Sequence, residues 1–394
     1  MLGKATGPVY LDYAATTPVD PAVADAISGY LSAEGEFANP ASIHAAGRQA
    51  AAALEIAREQ LAGLLNVSPR DVIWTSGATE SVNLGIIGAA RFRSNRGKHL
   101  ITMPTEHKAV TDTFAALARE GFEVTYLRPD KDGLLPFDEF EAAIRDETQL
   151  VSVMHVNNET GVIQDIGRIG KRCRQGDMLF HVDAAQSVGK LPIDLSVLEV
   201  DLLSLTAHKF YGPKGVGALY IADRPGCHVE PLFHGGGQER GIRPGTLPVH
   251  QIVGLGASAS LAQSRMADDI VHLQGLKKRL WSGIGKIPGI LRNGSATESF
   301  PGILNVSIEG IDGESLMLAL EPLCVAHGSA CNSRNAEPST VLRALGRDDA
   351  LAQSAIRFSF GRDTTIHEID LAIGCYAGAV SHLRAISPER KQKA

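Results

Sequence analysis

The chain has 394 residues, which is more than one ordinary hydrophobic core accommodates, so we expect two domains. Apolar residues make up 44% of the chain and charged residues 21%, and no stretch approaches the roughly 18 consecutive apolar residues of a membrane-spanning helix. The net charge of −6 gives no reason to expect direct binding of nucleic acid, which ordinarily needs a basic surface.

The N-terminal residues and the cysteines indicate a cytoplasmic protein. Residues 1–4 lead into mixed small and polar residues without the apolar stretch of a signal peptide. The cysteines are odd in number and contain no Cys-x-x-Cys pair, which favours a reducing compartment over a disulfide framework or a zinc site. They are Cys173, Cys227, Cys324, Cys331 and Cys375.

Helical and strand patterns alternate along the first two thirds of the chain. Apolar periodicity predicts helices at 44–65, 109–120 and 137–145. Short β-rich runs predict strands at 72–74, 99–102, 124–127, 150–154, 178–182, 201–205 and 217–221. This alternation predicts an α/β fold in which a mostly parallel sheet is flanked by helices on both faces.

The last third of the chain has a different pattern. A boundary is expected near residues 250–268, followed by helices at 270–284 and 367–386 and by short strands at 303–308 and 356–360. This pattern predicts a smaller α+β domain. The expected division is a large domain of residues 16–262 and a small domain of residues 1–15 plus 263–394.

An acid and a lysine each close a predicted strand, at Asp183 and Lys209. Functional groups of such sheets collect at the carboxyl ends of the strands. A pyridine-ring cofactor needs this pair, because the lysine amine forms a Schiff base and the carboxylate keeps the ring nitrogen protonated. Lys209 is preferred to Lys214, Lys190 and Lys108 because it directly ends a strand among small and aromatic residues, where desolvation lowers a lysine pKa.

Two further segments fit such a ligand. Residues 76–81 form a strand-to-helix turn, where backbone N–H groups and the helix dipole favour a phosphate, although an ordinary helix cap uses the same residue types. His107 follows a predicted strand, which favours stacking on a flat ring, although a single histidine is more often structural. The Gly-rich segment 234–246 carries Arg240 and Arg243 and is interpreted as an anion-contacting loop. Its HGGG string lacks the Gly-x-Ser-x-Gly partner of a lipase.

Two residues of the second half are candidates for substrate chemistry. Arg357 lies in a predicted strand and either faces solvent or clamps a substrate carboxylate by two hydrogen bonds. Cys331 has Gly, Ser, Ala and Asn neighbours, whereas the other cysteines are interpreted as small buried hydrophobes. A reactive cysteine beside a pyridine cofactor suggests an enzyme that handles sulfur.

Between about residues 9 and 383, a series of motifs resembles the cysteine desulfurases of the NifS/IscS type. These are class V aminotransferase-like enzymes with the fold type I architecture. The motifs are LDYAATTP at 11–18, SGATES at 76–81, TEHK at 105–108, HVNNE at 155–159, HVD at 181–183, HK at 208–209 and GSAC at 328–331.

The resemblance implies an enzyme that depends on pyridoxal 5'-phosphate (PLP) and converts L-cysteine to L-alanine. It implies that sulfur leaves as a persulfide on Cys331, carried on a loop of the small domain. It implies the other roles as follows: Lys209 for the Schiff base, Asp183 for the ring nitrogen, His107 for stacking and proton transfer, Gln186 for the ring hydroxyl, Asn158 and Arg357 for the substrate carboxylate, and Ala78, Thr79, Thr206 and His208 for the phosphate, joined by Thr246 from the second subunit of a homodimer.

Some features depart from the family pattern and leave alternatives open. Pro244 stands where many relatives have Ser, and Thr206 stands where Ser is common. The chain ends at Ala394, so docking of an iron–sulfur scaffold through a longer tail is open. The sulfur acceptor could belong to iron–sulfur assembly, a tRNA-thiolation relay or a DNA-phosphorothioation system. The alternative reactions are those of a selenocysteine lyase or another class V aminotransferase-like enzyme, and a non-catalytic platform is disfavoured because the reactive residues are intact.

Overall fold

The computed structural model describes residues 8–327 and 338–386. In these ranges the strands are β1 (Val9–Tyr10), β2 (Val72–Thr75), β3 (His99–Thr102), β4 (Glu123–Tyr126), β5 (Thr148–Ser152), β6 (Leu179–Asp183), β7 (Leu202–Thr206), β8 (Gly217–Ile221), β9 (Ile290–Arg292), β10 (Ile303–Ile308), β11 (Leu323–Cys324), β12 (Ala326–His327) and β13 (Ile356–Ser359).

The α-helices in the same ranges are α1 (Pro21–Ser28), α2 (Ala45–Leu65), α3 (Ala78–Phe92), α4 (Lys108–Arg119), α5 (Phe137–Ala143), α6 (Ile166–Gln175), α7 (Val249–Ile284), α8 (Gly313–Ala319), α9 (Thr340–Ala344), α10 (Asp349–Gln353) and α11 (Ile366–Ile386). In the described part of the chain, no helix has both the length and the apolar character needed to cross a membrane.

The central sheet has the strand order β2-β8-β7-β6-β5-β3-β4. Neighbouring strands from β7 to β4 are parallel, and β8 is antiparallel to both β2 and β7. The predicted mostly parallel sheet is therefore confirmed. Because β8 is antiparallel to both of its neighbours, β2 and β7 run in the same direction. The carboxyl ends of β2, β3, β5, β6 and β7 therefore lie at one edge of the sheet.

Helices cover both faces of this sheet, as predicted. On β2, Trp74 packs into a core with residues of α2, α6 and α7, whereas the preceding Ile73 packs into a second core with α3 and α4. Successive side chains of a strand point to opposite faces, so the two cores lie on opposite sides of the sheet. A strand buried on both faces is typical of a parallel α/β sheet.

A separate core forms around the smaller antiparallel sheet β12-β13-β10-β9. It contains residues of α11, of the C-terminal half of α7 and of the N-terminal segment, where Val9 and Leu11 are buried. The smaller α+β part that the sequence predicts is therefore present.

The helix predicted at 270–284 begins earlier than expected, because α7 is a single helix of 36 residues from Val249 to Ile284. The predicted boundary at 250–268 therefore lies within this helix. The Gly- and Ala-rich stretch at its start resembles a linker in sequence but allows close packing. A Cβ atom at Gly256 would lie 2.6 Å from Ala57 Cα of α2, and one at Gly254 would lie 2.7 Å from Ile27 Cδ1 of α1. The first half of α7 joins the core of the large sheet and the second half joins the smaller core. The predicted division at residues 262 and 263 falls inside this helix and stays a prediction.

The segment at residues 11–17 connects the two parts at the sheet edge. Ala14 N donates to Ser359 Oγ at 2.9 Å, at the end of β13, and Thr17 N donates to His208 O at 2.9 Å, just after β7. These hydrogen bonds place the carbonyl groups of Ala14 and Ala15 beside the strand ends.

Candidate active site

A cavity of about 530 Å³ lies at the carboxyl ends of the parallel strands. It gathers most of the residues that the sequence singles out. The predicted site residues that line it are Ala78, Thr79, His107, Asn158, Asp183, Gln186, Thr206, His208, Lys209 and Arg357. Thr246 is exposed and does not line this cavity of its own chain, and Cys331 lies outside the described residues.

Asp183 is the last residue of β6, and its side chain is buried. Its Oδ1 accepts a hydrogen bond from Ala185 N at 2.9 Å. Burial raises the pKa of Asp183, against the opposing effects of the Ala185 N–H and of the positive charges on His107 and Lys209. A cation that binds in the cavity would therefore stabilise the ionised carboxylate.

Lys209 follows β7 in a short 3-10 turn and extends its amine to the N-terminal segment. The amine donates to Ala14 O at 2.7 Å and to Ala15 O at 2.8 Å. Two backbone carbonyl groups therefore hold the amine at the cavity wall. Lys214, its rival in the sequence, also lines the cavity but is an exposed turn residue.

The N-terminus of α3 opens into the cavity without a side-chain cap. Its N-cap residue is Gly77, at φ 153°, and Ala78 and Thr79 form its first turn. The structure therefore does not support the alternative of an ordinary Ser or Thr cap. The first N–H groups of a helix lack partners within the helix, and the helix dipole adds partial positive charge, so this end of the cavity suits a phosphate.

The carboxylate of Glu80, in the same turn, is bonded to Ser76 and Arg243. Its Oε2 accepts from Ser76 N at 2.6 Å, and its Oε1 forms an ion pair with Arg243 Nε at 2.6 Å. Although burial raises the pKa of Glu80, the hydrogen bonds from Arg243 and Ser76 outweigh this and lower it. This ion pair attaches the Gly-rich segment to the α3 terminus and offsets a negative charge near the phosphate end.

Thr206 and His208 also line the cavity, and Thr206 lies near the N-cap of α3, since a Cβ atom at Gly77 would be 3.7 Å from Thr206 Oγ1. Thr206 Oγ1 donates to Val216 O at 3.1 Å, and His208 Nδ1 lies 3.1 Å from Thr16 Oγ1. Burial, followed by the charges of nearby lysines, lowers the pKa of His208 to about 4. The ring is therefore neutral near pH 7 and carries one N–H that can serve an anion.

His107 caps α4, which sets its tautomer. Its Nδ1 accepts from Ala109 N at 3.1 Å, so the proton of the neutral ring is on Nε2. His107 lies five residues after the end of β3, at the N-terminus of α4, and lines the cavity. Stacking on a ring stays a prediction.

Arg357 lies in β13 and is only 4% exposed, so it does not face solvent. Its Nη1 donates to Asn158 O at 2.7 Å and its Nη2 to Asp12 Oδ1 at 2.7 Å. Its Nε is buried and has no hydrogen-bond partner in the described ranges. An unpaired buried donor costs free energy, and a substrate carboxylate could recover it.

Sequence reasoning missed several residues that shape the site. The carbonyl groups of Ala14 and Ala15 belong to the backbone, so no residue type predicts their role. Asp12 was noted only as part of the motif at 11–18, without a role of its own. Glu159 accepts a hydrogen bond from Ser339 Oγ at 2.5 Å. Burial raises the pKa of Glu159 to about 7, against that hydrogen bond and the charges of Arg357 and His107. Because Glu159 is the last residue of the HVNNE motif, the sequence could have indicated a carboxyl group near Arg357 and His107.

These groups fit PLP in kind and arrangement. The uncapped α3 terminus, Thr79, Thr206 and His208 would hold the phosphate, and Asp183 would pair with the ring nitrogen. The amine of Lys209 would form the covalent bond. The fold and this cavity define a fold type I, PLP-dependent enzyme.

Comparison with known proteins identifies the family. The model of the class V aminotransferase family matches residues 9–371. "Cysteine desulfurase IscS" of Salmonella schwarzengrund (strain CVM19633) is 56% identical over 382 residues, which are 97% of this chain and 95% of that protein. The chain belongs to the cysteine desulfurase family, whose members are PLP-dependent class V aminotransferase-like enzymes.

Solved structures agree with this assignment. A "NifS-like protein" superposes with a TM-score of 0.88 at 37% identity, over 95% of this chain and all (100%) of that chain. A structure described as "SspA in complex with cysteine" superposes with a TM-score of 0.77 at 38% identity, over 90% of this chain and 99% of that chain. The predicted resemblance and fold class are therefore confirmed.

Proposed function

We propose that this enzyme converts L-cysteine to L-alanine and transfers the sulfur, as a persulfide on Cys331, to an acceptor protein. The observation that carries the proposal is that one cavity brings together Lys209, Asp183 and Arg357. These groups serve a covalently bound pyridine cofactor and an amino-acid carboxylate. A similar chain that is described as complexed with cysteine supports the choice of substrate.

The cofactor supplies electron withdrawal from Cα and Cβ of the substrate, which makes the Cβ–S bond breakable. The chain's own contribution begins with Asp183, whose buried carboxylate would hold a proton on the ring nitrogen. The N–H groups of Ala78 and Thr79 would hold the phosphate, and the Thr206 hydroxyl would donate to it by giving up its hydrogen bond to Val216 O. A cofactor held at both ends would keep a fixed position in the cavity.

Lys209 moves the proton at the substrate Cα. Its amine donates to the carbonyl groups of Ala14 and Ala15 at 2.7 and 2.8 Å, which keep it at the cavity wall. An amine held there can accept the Cα proton and return a proton to the product. His107, with its proton on Nε2, would assist proton transfers from the cavity wall.

Arg357 and Asn158 orient the substrate. The Arg357 guanidinium binds the α-carboxylate, while its hydrogen bond to Asn158 O fixes the backbone from which the Asn158 amide reaches the cavity. The planar guanidinium suits a carboxylate better than an ammonium group does.

The described residues that flank Cys331 support its role. On the N-terminal side, Ala326 of β12 pairs with Arg357 of β13. On the C-terminal side, Ser339 Oγ donates to Glu159 Oε2. Both flanking residues are therefore anchored beside groups of the substrate site.

The sulfur transfer balances without an outside oxidant. The Cys331 thiolate attacks the substrate sulfur, and an S–S bond forms as the Cβ–S bond breaks. The electron pair of the broken bond remains on the substrate carbon, which is protonated to give alanine. A thiol or an acceptor protein then removes the outer sulfur from Cys331.

A homodimer is part of the proposal. Thr246 is exposed on its own chain, and the segment that carries it is attached to the α3 terminus through the pair of Arg243 and Glu80. Phe37, Ile43 and Phe233 are exposed apolar residues, at 66%, 92% and 59%, and a second copy would cover them. In the dimer, Thr246 of each subunit would contact the phosphate bound by the other.

The acceptor and the location are further parts of the proposal. The acceptor would be an iron–sulfur scaffold or a thiolation relay protein. A cytoplasmic location is supported by the free thiols of Cys173, Cys227, Cys324 and Cys375.

The test is a product assay of the PLP-loaded enzyme with L-cysteine and a reducing thiol. Equal amounts of alanine and sulfide, formed without a keto acid, support the proposal. Pyruvate with sulfide would indicate elimination, and a requirement for a keto acid would indicate transamination. A selenocysteine lyase, the second candidate, would release selenide from selenocysteine at an undiminished rate in a Cys331→Ala variant.

A further inference from the structure

Lys190 is a buried amine that the steps above do not use. Its Nζ donates to Gln186 Oε1 at 2.9 Å, one turn of chain away. Gln186 Nε2 in turn donates to Ala14 O at 2.7 Å. The same carbonyl oxygen accepts from the Lys209 amine at 2.7 Å. A chain of hydrogen bonds therefore runs from Lys190 through Gln186 and Ala14 to Lys209.

The chemistry of these partners fixes the orientation of the Gln186 amide. Ala14 O can only accept, so it must face the amide nitrogen, and the ammonium of Lys190 can only donate, so it must face the amide oxygen. The reversed amide would set two oxygens against each other on one side and two donors on the other. Gln186 lines the cavity and has two amide hydrogens, of which Ala14 O takes one.

We propose that Lys190 is a positioning residue that holds the Gln186 amide with its remaining N–H directed to the ring oxygen of PLP. The inference rests on the proposed role of Gln186 in the cofactor site and deepens it. Without the Lys190 bond, only the hydrogen bond to Ala14 O, an oxygen shared with Lys209, would oppose rotation of the amide about its last side-chain torsion, which is a broad one. The ring oxygen would then meet either an N–H or a carbonyl oxygen.

The surroundings of Lys190 make it rigid. Its amine also lies 5.6 Å from the centre of the Phe300 ring. Val188 N and Lys190 N donate to Ala184 O and Ser187 O, each at 3.0 Å, which keeps the turn between Gln186 and Lys190 compact. Burial, then the charges of Lys209 and Arg357, lowers the pKa of Lys190 to about 7. The amine can donate to Gln186 in either protonation state.

The experiment measures PLP binding to apo protein, without cysteine, so its result does not depend on desulfuration. Lys190→Met should weaken PLP binding about tenfold, the cost of one mispositioned hydrogen bond, and should shift the visible band of the bound cofactor. Lys190→Arg keeps a donor and should therefore retain the wild-type PLP affinity and visible band. Lys277→Met is the matched control, because the Lys277 amine also donates two internal hydrogen bonds, to Ser299 Oγ and Phe300 O, but neither of these partners lines the cavity.

A double-variant cycle shows whether Lys190 acts through Gln186. In a Gln186→Ala background, Lys190→Met should cause no further loss of PLP affinity. An equal further loss would overturn the proposal, because Lys190 would then act by its charge on Lys209. Unchanged affinity and an unchanged band in Lys190→Met would also overturn it. If Lys190→Met does not fold, Lys190→Leu, which also lacks a donor, carries the same expectations.

Discussion

Arg357 and Asp12 form an ion pair at the cavity wall, with 2.7 Å between Nη2 and Oδ1. Asp12 belongs to the N-terminal segment, so residues 345 positions apart define the substrate end of the site. The pair holds the guanidinium in one orientation while its buried Nε remains without a partner in the described ranges. A carboxylate in the cavity would therefore meet a preoriented donor group.

Arg357→Ala should mainly weaken cysteine binding. The expected cost is about 2–5 kcal/mol, because a buried carboxylate loses its charged partner. Spectral titration with cysteine in a Cys331→Ala background measures this affinity without sulfur transfer. Arg357→Lys should recover only part of it, because an ammonium lacks the planar fork. Arg279→Ala, which removes an exposed ion pair with Asp370, is the control, and an unaltered affinity in Arg357→Ala would show that the arginine has another role.

Lys209→Ala should abolish the covalent attachment of PLP. The visible band of the Schiff base should disappear after loosely bound cofactor is removed, because no other amine is held by the Ala14 and Ala15 carbonyl groups in the described part of the site. Lys214→Ala is the matched control and should keep the band. Persistence of the band in Lys209→Ala together with its loss in Lys214→Ala would reverse the assignment.

His181 predicts acid sensitivity of the fold. It is fully buried in β6, with Nδ1 2.8 Å from Ser152 Oγ and Nε2 2.9 Å from Ser204 Oγ. Burial lowers the pKa of His181 to about 3, from an ordinary value of 6.5. The unfolded chain therefore binds a proton that the folded chain excludes between these values. Its contribution to stability is complete above pH 6.5 and is lost as the pH falls toward 3, by on the order of 3 kcal/mol at pH 4.

Urea unfolding of the apo protein at several pH values measures this effect. His181→Gln should be less stable at pH 7, because it cannot reproduce both hydroxyl contacts, but its stability should fall less steeply between pH 6.5 and 4. His367→Gln, at the exposed start of α11, is the control and should keep the wild-type slope. Identical slopes in wild type and His181→Gln would show that His181 is not the source of the acid sensitivity.

The strand ends of the site could be predicted because parallel strands bring their carboxyl ends to one edge. Asp183, Lys209 and Thr79 each follow a β-rich run, so their meeting follows from the sheet alone. His107 also lines the cavity, but it does so from the N-terminus of α4, five residues after β3 ends. The direction of Arg357 could not be decided, because β13 belongs to the smaller sheet and its neighbours there come from distant parts of the chain.

Other contacts left no signal in the sequence. The hydrogen bond from Lys209 to Ala14 O joins positions 195 residues apart. Its acceptor is a backbone carbonyl group, which every residue has, so the sequence does not mark it. The link from Lys190 to Gln186 has ordinary helical spacing but lies in a turn, where spacing alone indicates no contact. The continuity of α7 was missed because small residues that permit helix packing also occur in linkers. The roles of Cys331 and Thr246 stay predictions.

The most direct test of the account compares Cys331→Ala with Cys324→Ala in a single-turnover assay of the PLP-loaded enzyme. Cys324 lies in β11, seven positions before Cys331, and is half-buried. We predict that Cys331→Ala still binds cysteine, with a change in the visible spectrum, but forms no protein persulfide, alanine or sulfide. Cys324→Ala should form alanine in an amount equal to the sum of the protein persulfide and the released sulfide. Wild-type yields of alanine and sulfide from Cys331→Ala would contradict the account.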